Sequence, residues 1–232
     1  MIRILVVLTF AIFATSCRNL TSDEKTALHA ALGPEVELSN VLIIPPASKS
    51  DRATVQERLQ RQMKLERAMG ITDNRYTDRQ IRSFASNLTS RKAYAVAVGT
   101  KIFYLNPSFY KDNMAANWPK ERNLNDLSNL LHEYFHIWQY TNRKRTGYSL
   151  SGIVAEHIKY GADVYRYNLK THDNLLDFRF EQQAKIAEDY FLACFDVVVR
   201  PGCSRLRKMM NTVFDIPVLE KQLHDFKNKN GV

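Results

Sequence analysis

The fold of this chain is decided by residues 127–139, LSNLLHEYFHIWQ, which contain the pattern His-Glu-x-x-His at positions 132 to 136. Apolar residues recur in this stretch at intervals of three and four, the spacing of an amphipathic helix. They are Leu127, Leu130, Leu131, Tyr134, Phe135 and Trp138. The pattern predicts a helix from about Leu124 to Arg143 with one broad buried face.

Helical geometry would give the three polar residues of the motif a shared task. Residues four apart lie one above the other, so His132 and His136 can bind the same metal ion. On such a helix the motif is typical of zinc peptidases, in which Glu133 takes a proton from water bound to Zn²⁺. The alternative is a chance match, but unpaired His and Glu are costly to bury between apolar flanks. We therefore expect zinc as cofactor and Glu133 as general base.

A catalytic zinc site requires a third protein ligand. The extended pattern H-E-x-x-H-x-x-G-x-x-H is excluded, because Gln139 and Asn142 occupy its glycine and third histidine positions. The third ligand must therefore come from further along the chain. The candidates are Glu156, His157, Glu181 and Glu188.

Several stretches around the motif resemble a bacterial zincin-like family whose members often accompany secretion-system spike and Rhs proteins. The resemblance covers roughly residues 90–195 and implies an α+β domain, mainly helical, with a small sheet or β-hairpin before the His-Glu-x-x-His helix. The stretches that carry it are VGTKIFY at 98–104, LHEYFHIWQ at 131–139, EQQA at 181–184 and DYF at 189–191.

The resemblance also implies a ligand set. Related zincins carry Glu-x-x-Ala on a second helix with the Glu as third ligand, which favours Glu181 here, as in the gluzincin type. The chain departs from that pattern at Lys185, where an Asp often orients a ligand histidine, and Glu188 or Asp189 could replace it. Glu156 remains the rival third ligand, since its position twenty residues after His136 resembles the thermolysin-like arrangement.

Upstream of the motif the sequence predicts a β-hairpin. Residues 93–98 and 101–105 are apolar or alternating and flank Gly99 and Thr100, a typical hairpin turn. In zincins an edge strand before the active-site helix binds an extended peptide by strand addition, and this hairpin lies in the corresponding place. It would also cover the apolar face of the motif helix, and the two roles are compatible.

Two packing helices are expected before the hairpin. The first covers Asp51 to Met69, and the second begins at a capping box from Thr77 to Gln80. Apolar residues at helical spacing would face the core. These are Val55, Leu59 and Met63 in the first helix and Ile81, Phe84, Ala85 and Leu88 in the second.

The N-terminus has the features of an export signal. Residues 1–16 combine an early Arg3, a short apolar run and small residues before Cys17, which resembles the lipobox of bacterial lipoproteins. Cys17 would then carry a lipid anchor, in the outer membrane by resemblance; ordinary cleavage to a periplasmic or secreted protein is the alternative. We expect residues 17–50 to form a tether with a short helix near Asp23 to Leu32, and residues 51–232 to form the peptidase domain.

Three further features concern the mature chain. Cys194 and Cys203 are expected to form a disulfide, which suits an exported protein, with two free thiols as the alternative. A net charge of +9 favours anionic lipids or cell-wall polymers over nucleic acid as partners. A hydrogen-bond donor to the reacting carbonyl oxygen could come from a nearby tyrosine. The candidates are Tyr160, Tyr165 and Tyr167.

Together these features predict an exported zinc-dependent peptidase that acts on a protein or peptide substrate. Its predicted zinc ligands are His132, His136 and Glu181, with Glu133 as the base. Two alternatives remain open. The first is a zinc-binding module with weak turnover in an envelope or secretion-system assembly, and the second is a cell-wall peptide hydrolase.

Overall fold

The computed structural model describes residues 17–46, 49–70, 77, 79–80, 82–83, 86, 95–116, 118, 124–195 and 200–215, so the predicted signal sequence lies outside the described residues. The fold is α+β, as expected. Its strands are β1 (Arg18–Asn19), β2 (Leu42–Ile44), β3 (Ala95–Val98) and β4 (Lys101–Tyr104). Its α-helices with described bounds are α1 (Ser22–Leu32), α2 (Lys49–Ala68), α3 (Leu124–Thr141), α4 (Arg143–Thr146), α5 (Leu150–Tyr160), α6 (Phe180–Cys194) and α7 (Cys203–Met210).

The four strands form one sheet in the order β1-β2-β4-β3. Strand β4 pairs in parallel with β2 and antiparallel with β3, which confirms the predicted hairpin. Its two-residue turn contains Gly99 at a φ of 62°, a backbone conformation that glycine adopts readily. Within the described residues, β3 is an edge of the sheet, beside the helix that carries the motif.

The prediction of a tether over residues 17–50 is wrong for the part from Arg18 to Ile44. Strands β1 and β2 belong to the sheet, and α1, which confirms the short helix expected there, packs Leu28 and Leu32 into the main core. Within this segment, Arg18 donates two hydrogen bonds, of 2.7 and 2.8 Å, to the buried Glu24 and so holds β1 against α1. The sequence signal is weak because two strands of two and three residues leave almost no period to detect.

Helix α3 lies between the sheet and α6 and forms the centre of the main core. All six apolar residues that predicted it are buried. Helix α2 was also correctly predicted, and its Val55, Leu59 and Met63 form a second, smaller core with Leu150 of α5. The capping box between Thr77 and Gln80 is present; the inward positions Ile81, Phe84, Ala85 and Leu88 lie outside the described residues.

The predicted disulfide is confirmed. Cys194 at the end of α6 is bonded to Cys203 at the start of α7. The bond holds the start of α7 beside the end of α6, the helix that carries Glu181. Cys17 is a free, exposed cysteine. None of the helices in the described parts of the chain is both long and apolar enough to cross a membrane.

Candidate metal centre

Two helices bring the three predicted ligands together. His132 and His136 lie one turn apart on α3, and Glu181 lies in the first turn of α6, which packs against α3. The Glu181 Oε2 atom lies 3.4 Å from His132 Nε2 and 3.3 Å from His136 Nε2. All three residues are largely shielded from water, with His132 the most exposed at 12% of its side chain. This buried group could hold a metal ion.

The geometry of the Glu181 carboxylate is compatible with a bound metal ion. Glu181 Oε2 is buried and makes no hydrogen bond within the described part of the chain, although it is close to two imidazole nitrogens. Two ligands held at about 2.1 Å by one tetrahedral ion are about 3.4 Å apart, which matches both observed separations. Both separations from Glu181 Oε2 are therefore those of two ligands on one ion, and the three ligand atoms lie within 4.8 Å of one another.

The other nitrogen of each histidine is held by a separate acceptor. His132 Nδ1 lies 3.1 Å from Glu188 Oε2, and His136 Nδ1 lies 2.8 Å from Gln139 Oε1. A carboxylate can only accept, and the Gln139 amide nitrogen is occupied elsewhere, so both Nδ1 atoms donate. In the neutral form of each ring, the proton-free Nε2 atom is then the one that faces Glu181 and could bind a cation. Acceptors of this kind fix the ring orientation of metal-binding histidines.

Gln139 was not predicted as part of the site. It is fully buried, and its Nε2 donates to the backbone oxygen of Phe180 at 3.1 Å and to Gln183 Oε1 at 2.9 Å. One side chain thus orients His136 and joins α3 to the start of α6. Its position three residues after His136, on the same face of the helix, was the available signal.

Glu188 takes the position left by the missing aspartate. The departure from the family pattern at Lys185 left Glu188 and Asp189 as possible replacements, and only Glu188 contacts a ligand histidine. Lys185 bridges the two carboxylates, with its Nζ 2.8 Å from Glu188 and 2.9 Å from Asp189. Asp189 accepts a hydrogen bond from the Tyr167 hydroxyl instead.

The rival ligand Glu156 has a different task. Its two carboxylate oxygens accept the backbone N–H groups of Phe180, at 2.9 Å, and of Glu181, at 3.2 Å. These are donors at the first turn of α6, which have no partners within the helix. Glu156 therefore fixes the backbone of the candidate ligand. It does not belong to the group of side chains that could hold the metal.

The start of helix α5 is fixed in the same way, by a carboxylate of α2. The buried Glu66 accepts the backbone N–H groups of Leu150 and Ser151, each at 3.1 Å, where α5 begins. Gly152 allows α5 to approach α6 closely, because a Cβ atom there would lie 2.7 Å from a ring carbon of Phe180. The Glu66 carboxylate thus positions the start of α5, and the Glu156 carboxylate positions the start of α6, where Glu181 lies.

His157, also considered as a third ligand, binds the other oxygen of Glu181. Its Nε2 lies 2.7 Å from Glu181 Oε1, so the two oxygens of this carboxylate face different histidines. Oε1 is held by His157, and Oε2 faces His132 and His136. His157 thus lies beside the candidate ligands and lines the adjoining cleft.

A cleft of about 430 Å³ opens onto the three candidate ligands. Glu133 lines it, and so do Ala95, Val96 and Ala97 of the edge strand β3. The backbone N–H of Ala97 faces the Glu133 carboxylate. Burial raises the pKa of Glu133; His132, His136 and this N–H lower it, and the net pKa lies above its ordinary value.

When no metal is bound, the electrostatics of this group favour protonation of His132 and His136. Burial lowers the pKa of His132, but the carboxylates of Glu181 and Glu188 outweigh burial and raise it to about 10. The pKa of His136 is also raised, by Glu181 against burial. Burial raises the pKa of Glu181, yet the neighbouring histidines hold it well below its ordinary value. A bound cation would take the place of these protons.

Of the three candidate tyrosines, only Tyr165 lines the cleft. Its ring centre lies 6.0 Å from that of His132 and 5.8 Å from that of His157. The Tyr167 hydroxyl is bound to Asp189, and the Tyr160 ring lies against the Arg179 guanidinium at 3.7 Å. Tyr165 is thus the one of the three whose ring lies near the candidate ligands.

Comparison with known proteins adds no assignment to this geometry. No protein-family model, no curated protein and no solved structure matches the chain. The resemblance to the zincin-like family stays a prediction from the motifs.

Proposed function

We propose that the protein is a zinc-dependent peptidase of the zincin-like type. The observation that carries the proposal is the unpartnered Oε2 atom of Glu181, buried between the Nε2 atoms of His132 and His136. Burial of such an oxygen without a hydrogen bond is costly unless a cation binds it. Two imidazoles and one carboxylate are a ligand set that catalytic zinc sites use.

The chain would supply the proton transfer beside the metal. Zinc held by these ligands would lower the pKa of a water and polarise a peptide carbonyl. Glu133 would take the proton from the attacking water and pass it to the leaving amine. Its position supports this role, since it lines the same cleft as both histidines.

The edge of β3 would bind the substrate backbone. Val98 and Lys101 flank the two-residue turn, so the alternation of antiparallel pairing directs the backbone groups of Ala95 and Ala97 to the free edge. An extended peptide could add there as a further strand, with its scissile bond near Glu133. Tyr165 would face the reacting carbonyl as a hydrogen-bond donor, because it alone of the three candidate tyrosines lines the cleft.

Export and anchoring are part of the proposal. The lipobox-like sequence at Cys17 and the Cys194–Cys203 disulfide support a mature protein in an oxidising envelope compartment. The exposed position of Cys17 leaves it accessible to lipidation. The substrate would then be a protein or peptide of the envelope or of a secretion-system assembly.

The test is zinc content and peptide cleavage measured on the same samples. We would compare the mature chain from Cys17 with Glu133→Gln, Glu181→Ala and Glu156→Gln. We expect one zinc per wild-type chain, loss of zinc in Glu181→Ala, and zinc without cleavage in Glu133→Gln. Glu156→Gln is the matched control, because its side chain touches the backbone of Glu181 but not the metal group, and it should retain zinc.

Three outcomes would contradict the proposal. Absence of zinc in the wild-type protein after reconstitution would refute the metal site. Stoichiometric zinc with no cleavage in a broad peptide library would instead favour the zinc-binding module. Digestion of purified cell wall but not of protein would identify the cell-wall hydrolase.

A further inference from the structure

A second cavity lies between the same two elements as the metal cleft, strand β3 and helix α2. The cleft is lined by residues 95–97 of β3 and by Leu59 of α2. A groove of about 650 Å³ is lined by the following part of the hairpin, from Val98 to Lys101, and by α2 around Arg61. A chain that leaves the cleft along β3 toward the hairpin turn therefore enters this groove.

The groove is basic. Three cationic side chains, Arg58, Arg61 and Lys101, line it together with a single carboxylate, Glu57. Arg61 and Glu57 form an exposed ion pair at 3.2 Å, and both side chains are about 70% exposed, so this pair is weak. The Arg58 guanidinium lies over the Phe103 ring at 5.8 Å, which holds its charge at the groove wall.

Strand geometry gives the distance between the two sites. A residue that pairs beside Ala97 lies near Glu133, and the turn at Gly99 is two residues further along β3. At about 3.3 Å per residue this is about 7 Å, and side-chain length extends the reach of groups on both partners. The part of a bound peptide that meets the groove therefore lies about two to four residues from the scissile bond.

We propose that the groove binds an acidic segment of the peptide substrate. The inference rests on the proposed peptidase function and adds a charge preference to it. Antiparallel pairing, the more common kind in sheets, would place the N-terminal side of the peptide beside the end of β3 at Val98. The preferred substrate then carries Asp or Glu about two to four residues before the scissile bond.

The experiment uses one peptide that the zinc-loaded wild-type protein cleaves. Two Asp residues, or two Asn residues, are placed three and four positions before the scissile bond, and a second pair of peptides carries them at the same distance after it. We expect kcat/KM to be about threefold to tenfold higher for Asp than for Asn before the bond, with a smaller effect after it. Rising salt should reduce the difference.

A charge-reversal variant assigns the effect to the groove. Arg61→Glu should abolish or invert the preference for Asp, whereas Arg205→Glu, at an exposed arginine on α7, should leave it unchanged. Binding of the labelled peptides to zinc-loaded Glu133→Gln, followed by fluorescence anisotropy, gives a readout without turnover. We expect the peptide with Asp before the bond to bind more tightly than the peptide with Asn at the same positions.

The possible failures are distinguishable. Cleavage that ignores peptide charge, that is enhanced equally on both sides of the bond, or that keeps its Asp preference in Arg61→Glu would overturn the groove proposal and leave the peptidase intact. Failure to bind zinc, or to cleave any peptide, would overturn both.

Discussion

Glu188 should determine how tightly the proposed zinc is held, although it lies outside the proposed ligand set. It accepts the Nδ1–H of His132 at 3.1 Å and is held in turn by Lys185 at 2.8 Å. This contact fixes the ring so that Nε2 faces Glu181. Loss of such a partner typically costs about tenfold to a hundredfold in metal affinity, or about 1.4 to 2.7 kcal/mol.

The perturbation is Glu188→Ala, with Glu188→Gln as an intermediate. The alanine variant removes the acceptor and should show the full loss of zinc affinity. The glutamine variant keeps an acceptor oxygen but loses the charge, so we expect a smaller loss, about tenfold at most. Asp189→Asn is the matched control, because Asp189 also binds Lys185 but contacts no ligand histidine. It should bind zinc like the wild type.

The assay is competition for zinc between the metal-free protein and a chromophoric chelator at fixed pH. Thermal unfolding of each metal-free variant separates a folding defect from a binding defect. Two results would refute the reasoning. One is a zinc affinity of Glu188→Ala within about threefold of wild type. The other is an equal loss in Asp189→Asn, which would mean that charge near the site matters and the contact to His132 does not.

Three further predictions concern pH, the buried amide and the disulfide. In metal-free protein, the pKa of His132 is about 10 when folded and about 6.5 when unfolded, so its protonation stabilises the fold fully below pH 6.5 and the contribution is lost as pH rises toward 10. The melting temperature of chelator-treated protein should therefore fall over that window relative to His132→Gln, and equal pH profiles would contradict this. Gln139→Leu should lower the free energy of unfolding by about 2 kcal/mol or more and weaken zinc binding, because it removes the Gln139 partner of Gln183 Oε1 and of His136 Nδ1; unchanged urea unfolding would refute the network. Replacing Cys194 and Cys203 by Ser should cost about 2 to 3 kcal/mol in urea unfolding but leave zinc content unchanged, and loss of zinc would show that α7 supports the site.

The parts of the fold that the sequence predicted are those with a clear local period. Helix α3 and the β3–β4 hairpin followed from apolar spacing over neighbouring residues. The sheet as a whole could not be predicted, because β2 pairs in parallel with β4, nearly sixty residues away, over only three residues. For the same reason the segment from Arg18 to Ile44 was mistaken for a tether.

The same distinction between local patterns and long-range packing applies to the candidate site. The positions of His132, Glu133 and His136 depend on one helical turn and were predicted from spacing. The choice between Glu156 and Glu181 depends on how α5 and α6 pack against α3, which no local pattern contains. Glu181 was favoured only through the Glu-x-x-Ala resemblance. Its burial beside both histidines agrees with that choice.

The two carboxylates that start α5 and α6 bear on how the protein matures. Glu66 acts only when α2 and α5 have met, and Glu156 acts only when α5 and α6 have met. Glu181 reaches the histidines only when α6 has packed against α3, whereas the two histidines lie one turn apart as soon as α3 forms. A partly folded chain would offer zinc two ligands and hold it weakly. If the chain is exported unfolded, zinc would be loaded after translocation, from the metal supply of the envelope rather than that of the cytoplasm.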